Sequence, residues 1–87
     1  MKVFDVYSKF GCPYCDKAKE LLTEHGYTFN LLTLDGVTVT KDQIQKRVNL
    51  LNAAVEINTV PQIFLKENGA EKYIGGYAEL KKNIDSL

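Results

Sequence analysis

The hydrophobic period changes twice within the first 34 residues, and that change constrains the fold more than any other feature of the sequence. Lys2-Val3-Phe4-Asp5-Val6-Tyr7 alternates, with Val3, Asp5 and Tyr7 on one face and Lys2, Phe4 and Val6 on the other. Its β-branched and aromatic content predicts a strand. Ser8 to Gly11 interrupts the pattern, and residues 13–25 then read as a helix. Pro13 suits the first helical position, and Ala18, Leu21 and Leu22 form an i, i+3, i+4 apolar stripe. Asp16 falls in the first turn, His25 in the last, and Gly26 is placed to stop the helix. Residues 27–34 are apolar and β-rich again, a second strand. Two strands separated by a helix pair in parallel through a right-handed crossover.

The remainder completes one sheet. Thr40 with Gln43 is a capping-box signature, and Ile44, Val48 and Leu51 at i, i+4, i+7 carry a second helix to about Ala54. Gln62-Ile63-Phe64-Leu65 reads as a third strand, Glu67-Asn68-Gly69 as a tight turn, and residues 71–74 as the returning fourth strand. Gly75-Gly76 breaks it, and Leu80, Ile84 and Leu87 mark a closing helix. The order β-α-β-α-β-β-α predicts an α/β protein with a four-stranded mixed sheet flanked by helices. Eighty-seven residues leave room for a single domain, 1–87.

Charge narrows the function classes. Eleven basic and eleven acidic side chains cancel and are interspersed, so a nucleic-acid partner is not expected. No apolar stretch approaches the roughly 20 residues needed to span a bilayer, so no membrane is expected. The amino end runs straight into strand sequence without a signal-peptide pattern, which points to the cytoplasm or an equivalent reducing space. Nothing marks an extra apolar surface, and a monomer is expected.

Two cysteines three positions apart close too small a loop to staple a fold. In a reducing compartment such a pair is catalytic or metal-binding instead. Cys12-Pro13-Tyr14-Cys15 sits where a strand hands over to a helix, with Cys12 at the N-cap. Unpaired N–H groups and the positive end of the helix dipole favour an anion there, and a thiolate is an anion. Lys9 adds positive charge, Cys15 lies one turn in and can attack a mixed disulfide at Cys12, and Tyr14 faces whatever docks. A zinc site would want four ligands, and the only histidine, His25, stands at the far end of the helix. Thiol–disulfide exchange fits the pair best.

Lys9-x-x-Cys12-Pro13-Tyr14-Cys15, then Thr59-Val60-Pro61, then Gly75-Gly76 resembles the dithiol glutaredoxin family, in order and across essentially the whole chain. Small phage-encoded members are similar in length. The resemblance implies a thioredoxin fold and a glutathione-dependent oxidoreductase acting on protein disulfides and glutathione mixed disulfides. It implies no bound cofactor, glutathione as cosubstrate, and ribonucleotide reductase as a plausible protein partner. On the same analogy Pro61 is cis and faces the dithiol with Thr59, freeing the Val60 backbone to pair with the cysteinyl part of glutathione. Gly76, Tyr77 and Ala78 would take the γ-glutamyl end, the backbone N–H groups of the last two meeting its carboxylate. Lys9 would meet the glycyl carboxylate, with Gln45 and Arg47 as further candidates. Tyr77-Ala78 departs from the acidic or hydroxyl residue common there. Glu79 can substitute for it, or glutathione affinity falls.

Two rivals stand beside this reading. One is a thioredoxin-like protein disulfide reductase recycled by a flavoprotein reductase, which the altered Tyr77-Ala78 pair favours. The other is a glutathione-ligated iron–sulfur cluster module, which Pro13 and Tyr14 disfavour. For other residues the plain reading holds: His25 is a helix-end partner, Tyr7, Tyr27, Phe29 and Phe64 pack the sheet, and Tyr73 and Tyr77 can rim the site.

Overall fold

The structure, a computed structural model, describes residues 2–51 and 59–87. Strand β1 (Lys2–Ser8) leads into helix α1 (Pro13–Glu24), strand β2 (Thr28–Thr33), helix α2 (Lys41–Leu50), strands β3 (Gln62–Glu67) and β4 (Ala70–Gly75), and helix α3 (Tyr77–Asn83). The sheet order is β2-β1-β3-β4, with β1 and β2 parallel and the other two pairs antiparallel. This is the expected α/β arrangement.

Alternation along β1 divides the interior. Phe4 and Val6 join Ala18, Leu22, Ile63, Leu65 and Leu80 beneath α1 and α3. Tyr7 joins Ile44, Val48 and Phe64 beneath α2. Asp5 shares the α2 face and is only 2 % exposed. Its carboxylate accepts hydrogen bonds from Asn30 (3.0 Å) and Arg47 (2.8 Å) and pairs with Lys66 (3.1 Å).

Element ends follow local chemistry. Helix α1 stops at Glu24, one residue short of the expected end, with His25 as its cap. Gly26, at φ +72°, donates to Thr23 O, and Tyr27 donates to Leu22 O, the paired bonds of a Schellman stop. His25 does serve the helix end, its Nδ1 lying 3.0 Å from Leu21 O. Thr40 and Gln43 form the predicted capping box. Helix α2 ends at Leu50, and the expected extension over 52–54 lies outside the described residues. The hairpin is tighter than the sequence pattern suggested. Lys2 pairs with Glu67 across the ladder, so β3 runs two residues further and Asn68-Gly69 alone makes the turn. Both take positive φ, as a two-residue hairpin turn requires. The closing helix tightens into a 3-10 turn at Ile84–Ser86.

Candidate active site

The loop between β1 and α1 carries the dithiol. Cys12 caps α1, with extended backbone, and its sulfur accepts a hydrogen bond from the Cys15 N–H at 3.3 Å. Pro13 opens the helix, where its missing N–H costs nothing. One turn of helix places Cys15 beneath Cys12, 2 % exposed, while Cys12 is partly open to solvent. Both thiols are free. Burial, reinforced by the hydrogen bond with Cys12, pushes the Cys15 thiol up to about 11. The two sulfurs are therefore unequal: one is accessible and served by a helix N–H, the other buried and protonated at neutral pH.

Facing the dithiol is the loop before β3. The Val60–Pro61 peptide bond is cis, and the Cys12 thiol donates to Val60 O across 3.7 Å. Gly76 caps α3 without a side-chain hydrogen bond of its own, so the cap residue leaves the first-turn N–H groups open. A Cβ on Gly76 would sit 3.4 Å from Pro61 O, so the small residue lets the α3 start approach the proline loop. The Glu79 side chain folds back over Gly75, where an added Cβ would lie 2.9 Å from its Cγ.

These elements enclose a continuous trough. On one side Tyr14, Val60, Pro61, Gln62, Tyr73, Gly76, Tyr77, Ala78 and Glu79 line a groove of about 460 Å³. On the other, Lys9, Leu34, Lys41 and Ile44 line a hollow of about 680 Å³. Thr59 and Val60 border both, so the two meet at the loop that faces Cys12, while Cys12 and Cys15 themselves line a third cleft of about 300 Å³ with Lys9, Asp16 and Leu31. Tyr14, 57 % exposed, lies with its ring 6.0 Å from that of Tyr77, and the Lys17 ammonium sits 5.2 Å over Tyr14.

The structure thus brings Tyr14, Thr59, Val60, Pro61, Gly76, Tyr77 and Ala78 to the groove, Lys9 to the hollow beyond Thr59 and Val60, and Cys12 with Cys15 to the cleft that Lys9 also borders. It places Arg47 elsewhere. The guanidinium donates to Asp5 (2.8 Å), Tyr7 Oη (3.0 Å) and Glu71 (2.7 Å), and lies 4.4 Å over the Phe64 ring, so the expectation that it assists Lys9 is corrected. Gln45 donates to Asn49 on its own helix. Lys41 was missed, although a signal existed: a lysine at the first position of a capped helix opposes the helix dipole and needs another reason to be there.

The chain is similar to known proteins in sequence and in fold. The family model described as Glutaredoxin matches residues 5–69. Glutaredoxin 3 of Escherichia coli is 36% identical over 76 residues, 87% of this chain and 78% of that protein. Glutaredoxin 1 from Francisella tularensis superposes with a TM-score of 0.71 at 32% identity, covering 99% of this chain and 95% of that one. A buckwheat glutaredoxin–glutathione complex superposes with a TM-score of 0.63 at 26% identity, covering 95% and 68%.

Proposed function

Because the chain belongs to the glutaredoxin family, we propose that it divides labour between Cys12 as nucleophile and Cys15 as resolving thiol. As a family member it is a glutathione-dependent thiol–disulfide oxidoreductase. The observation that carries the division is the inequality of the two sulfurs: Cys12 is accessible at the helix cap and Cys15 is buried with its proton retained.

With a glutathionylated protein, the Cys12 thiolate attacks the glutathionyl sulfur. The substrate cysteine leaves with the electron pair and takes a proton, and Cys12 holds glutathione as a mixed disulfide. A second glutathione thiolate attacks the glutathionyl sulfur, releasing oxidised glutathione and the Cys12 thiolate. With a protein disulfide, the Cys12 thiolate attacks one substrate sulfur, the other leaves as a thiolate that takes a proton, and Cys12 holds the first as a mixed disulfide. Cys15, once deprotonated, attacks Cys12 and expels the substrate sulfur held there as the second free thiol, and two glutathiones reduce the Cys12–Cys15 bond and leave as oxidised glutathione. The reaction needs no bound cofactor.

The trough supports the placement of glutathione. Its cysteinyl unit would lie along Val60, pairing with backbone N–H and C=O as a one-residue strand addition. Its γ-glutamyl carboxylate would meet the N–H groups of Tyr77 and Ala78, with Pro61 and Gly76 shaping the approach. Its glycyl carboxylate would lie between Lys9 and Lys41, beside Thr59. Glu79 stands where it can meet the γ-glutamyl ammonium, which offsets the departure at Tyr77-Ala78. Tyr14, on the rim, would touch the protein substrate. We further propose that 1–87 works as one domain, as a monomer in the cytoplasm, with disulfide proteins such as ribonucleotide reductase as partners. No described helix is long and apolar enough to cross a membrane.

The test is glutathione-dependent release of glutathione from a glutathionylated peptide. Wild type and Cys15→Ser should turn over while Cys12→Ser is inactive. An active Cys12→Ser variant would overturn the assignment of the nucleophile. A wild type idle with glutathione, yet active on protein disulfides with another reductant, would overturn the glutathione site.

A further inference from the structure

One buried polar side chain in the wall of the groove, beside Tyr73, has no part in the exchange chemistry. Gln62 opens β3, is 4 % exposed, and faces the α2 side of the sheet beside Phe64. Its Nε2 donates to Thr59 O at 2.8 Å, with Thr59 Oγ1 at 3.5 Å. Its Oε1 accepts from the Tyr73 hydroxyl at 2.6 Å. A carbonyl oxygen only accepts, so Thr59 fixes which end of the amide is the NH₂. That leaves Oε1 for a donor, and Tyr73 supplies it. Tyr73 is itself held from β4, its ring 5.2 Å from Phe64. A register shift in the β3–β4 ladder sets Tyr73 opposite Phe64 and Gly75 opposite Ile63, so one extra residue on β4 turns the chain toward α3 just past Tyr73. Burial and the nearby Glu79 charge both push the Tyr73 phenol up, which keeps it a donor.

We propose that Gln62, clamped by Tyr73, is a positioning residue that fixes the Thr59–Val60 segment so that the Val60 backbone faces glutathione. The chain of contacts runs from the sheet, through two side chains, to the carbonyl one residue before Val60. This rests on the placement of glutathione argued above. The clamp touches neither Cys12 nor Cys15, so it acts on binding and leaves the nucleophile intact. A loosened loop loses contacts made equally in the bound and transition states, which raises KM and spares kcat. Polar networks of this kind are sensitive to the loss of one member, because its partner is left buried and unpaired.

The experiment compares wild type, Tyr73→Phe, Gln62→Leu and the double variant in turnover of a glutathionylated peptide by glutathione. Alkylation of Cys12 by iodoacetamide is followed in parallel. Wild-type turnover checks the underlying site; the variants check the clamp. Tyr73→Phe should raise KM for the peptide about fivefold and Gln62→Leu about tenfold, with kcat and the alkylation rate within about twofold of wild type. Adding Tyr73→Phe to Gln62→Leu should change KM little, since the two act through one contact. Unchanged KM in Tyr73→Phe, or a kcat loss that tracks a slowed alkylation rate, would overturn the proposal. If Gln62→Leu fails to fold, Tyr73→Phe alone, which removes only a hydroxyl, decides it.

Discussion

Burial and the neighbouring Cys12 sulfur hold the Cys15 thiol near 11, so at pH 7 roughly one molecule in ten thousand carries that thiolate. In a Cys12 mixed disulfide the Cys12 thiol no longer contributes but the burial remains, so resolution through Cys15 should quicken as pH rises above neutrality. Stopped-flow release of a chromogenic thiol from the mixed disulfide reads this directly, and a rate flat above pH 8 would contradict the burial of Cys15. Gly75 offers a second residue-level prediction. It holds φ +120°, and a Cβ there would press on Glu79. Gly75→Ala should cost about 1–3 kcal/mol in urea unfolding and displace Glu79 from the trough. The cysteines and Pro13 were legible in the sequence because each does something local that its residue type dictates, whereas the roles of Val60 and Pro61 came from the resemblance to the family. Lys41 and the Gln62–Tyr73 clamp were not legible, since long-range pairing of strands and loops brings them to the site.

At the scale of elements, α2 depends on its start and on one side chain. Thr40→Ala removes the cap on Gln43 and should cost about 1 kcal/mol, read as a lower urea midpoint. Arg47 matters more. It joins α2 to β1 through Asp5 and to β4 through Glu71, and its loss leaves Asp5 buried with Asn30 and Lys66. Arg47→Met should cost about 3 kcal/mol, with glutathione turnover per folded molecule near wild type. Period and capping made α1, α2 and the β-α-β order readable. The far end of β3 was not, because strand length there is set by pairing with Lys2, a contact 65 positions away.

For the whole molecule, the Asp5 cluster predicts how stability follows pH. Burial pushes the Asp5 carboxyl up, but hydrogen bonds from Asn30, Arg47 and Lys66 outweigh it and hold it below the ordinary carboxylate range. A group depressed in the folded state stabilises above its unfolded value, near 3.9, and that contribution fades as pH falls through the folded one. Unfolding free energy should accordingly drop between about pH 5 and pH 2, and Asp5→Asn should flatten that slope. An equal slope in the variant would place the acid sensitivity elsewhere. The net charge of zero gives no hint of this, because what counts is where the opposite charges meet.

The seating of Cys15 one helical turn below Cys12 also governs how the protein withstands peroxide. An oxidised Cys12 sulfenic acid has a thiol in reach, so it closes to a disulfide that glutathione reopens, and it does not climb to the irreversible sulfinic and sulfonic acids. Cys15→Ser, for all its competence in releasing glutathione, should lose that safeguard and accumulate the mass of two or three oxygens under hydrogen peroxide. A thiol that glutathione chemistry can spare thus serves as a fuse, giving a short-lived lesion a way back.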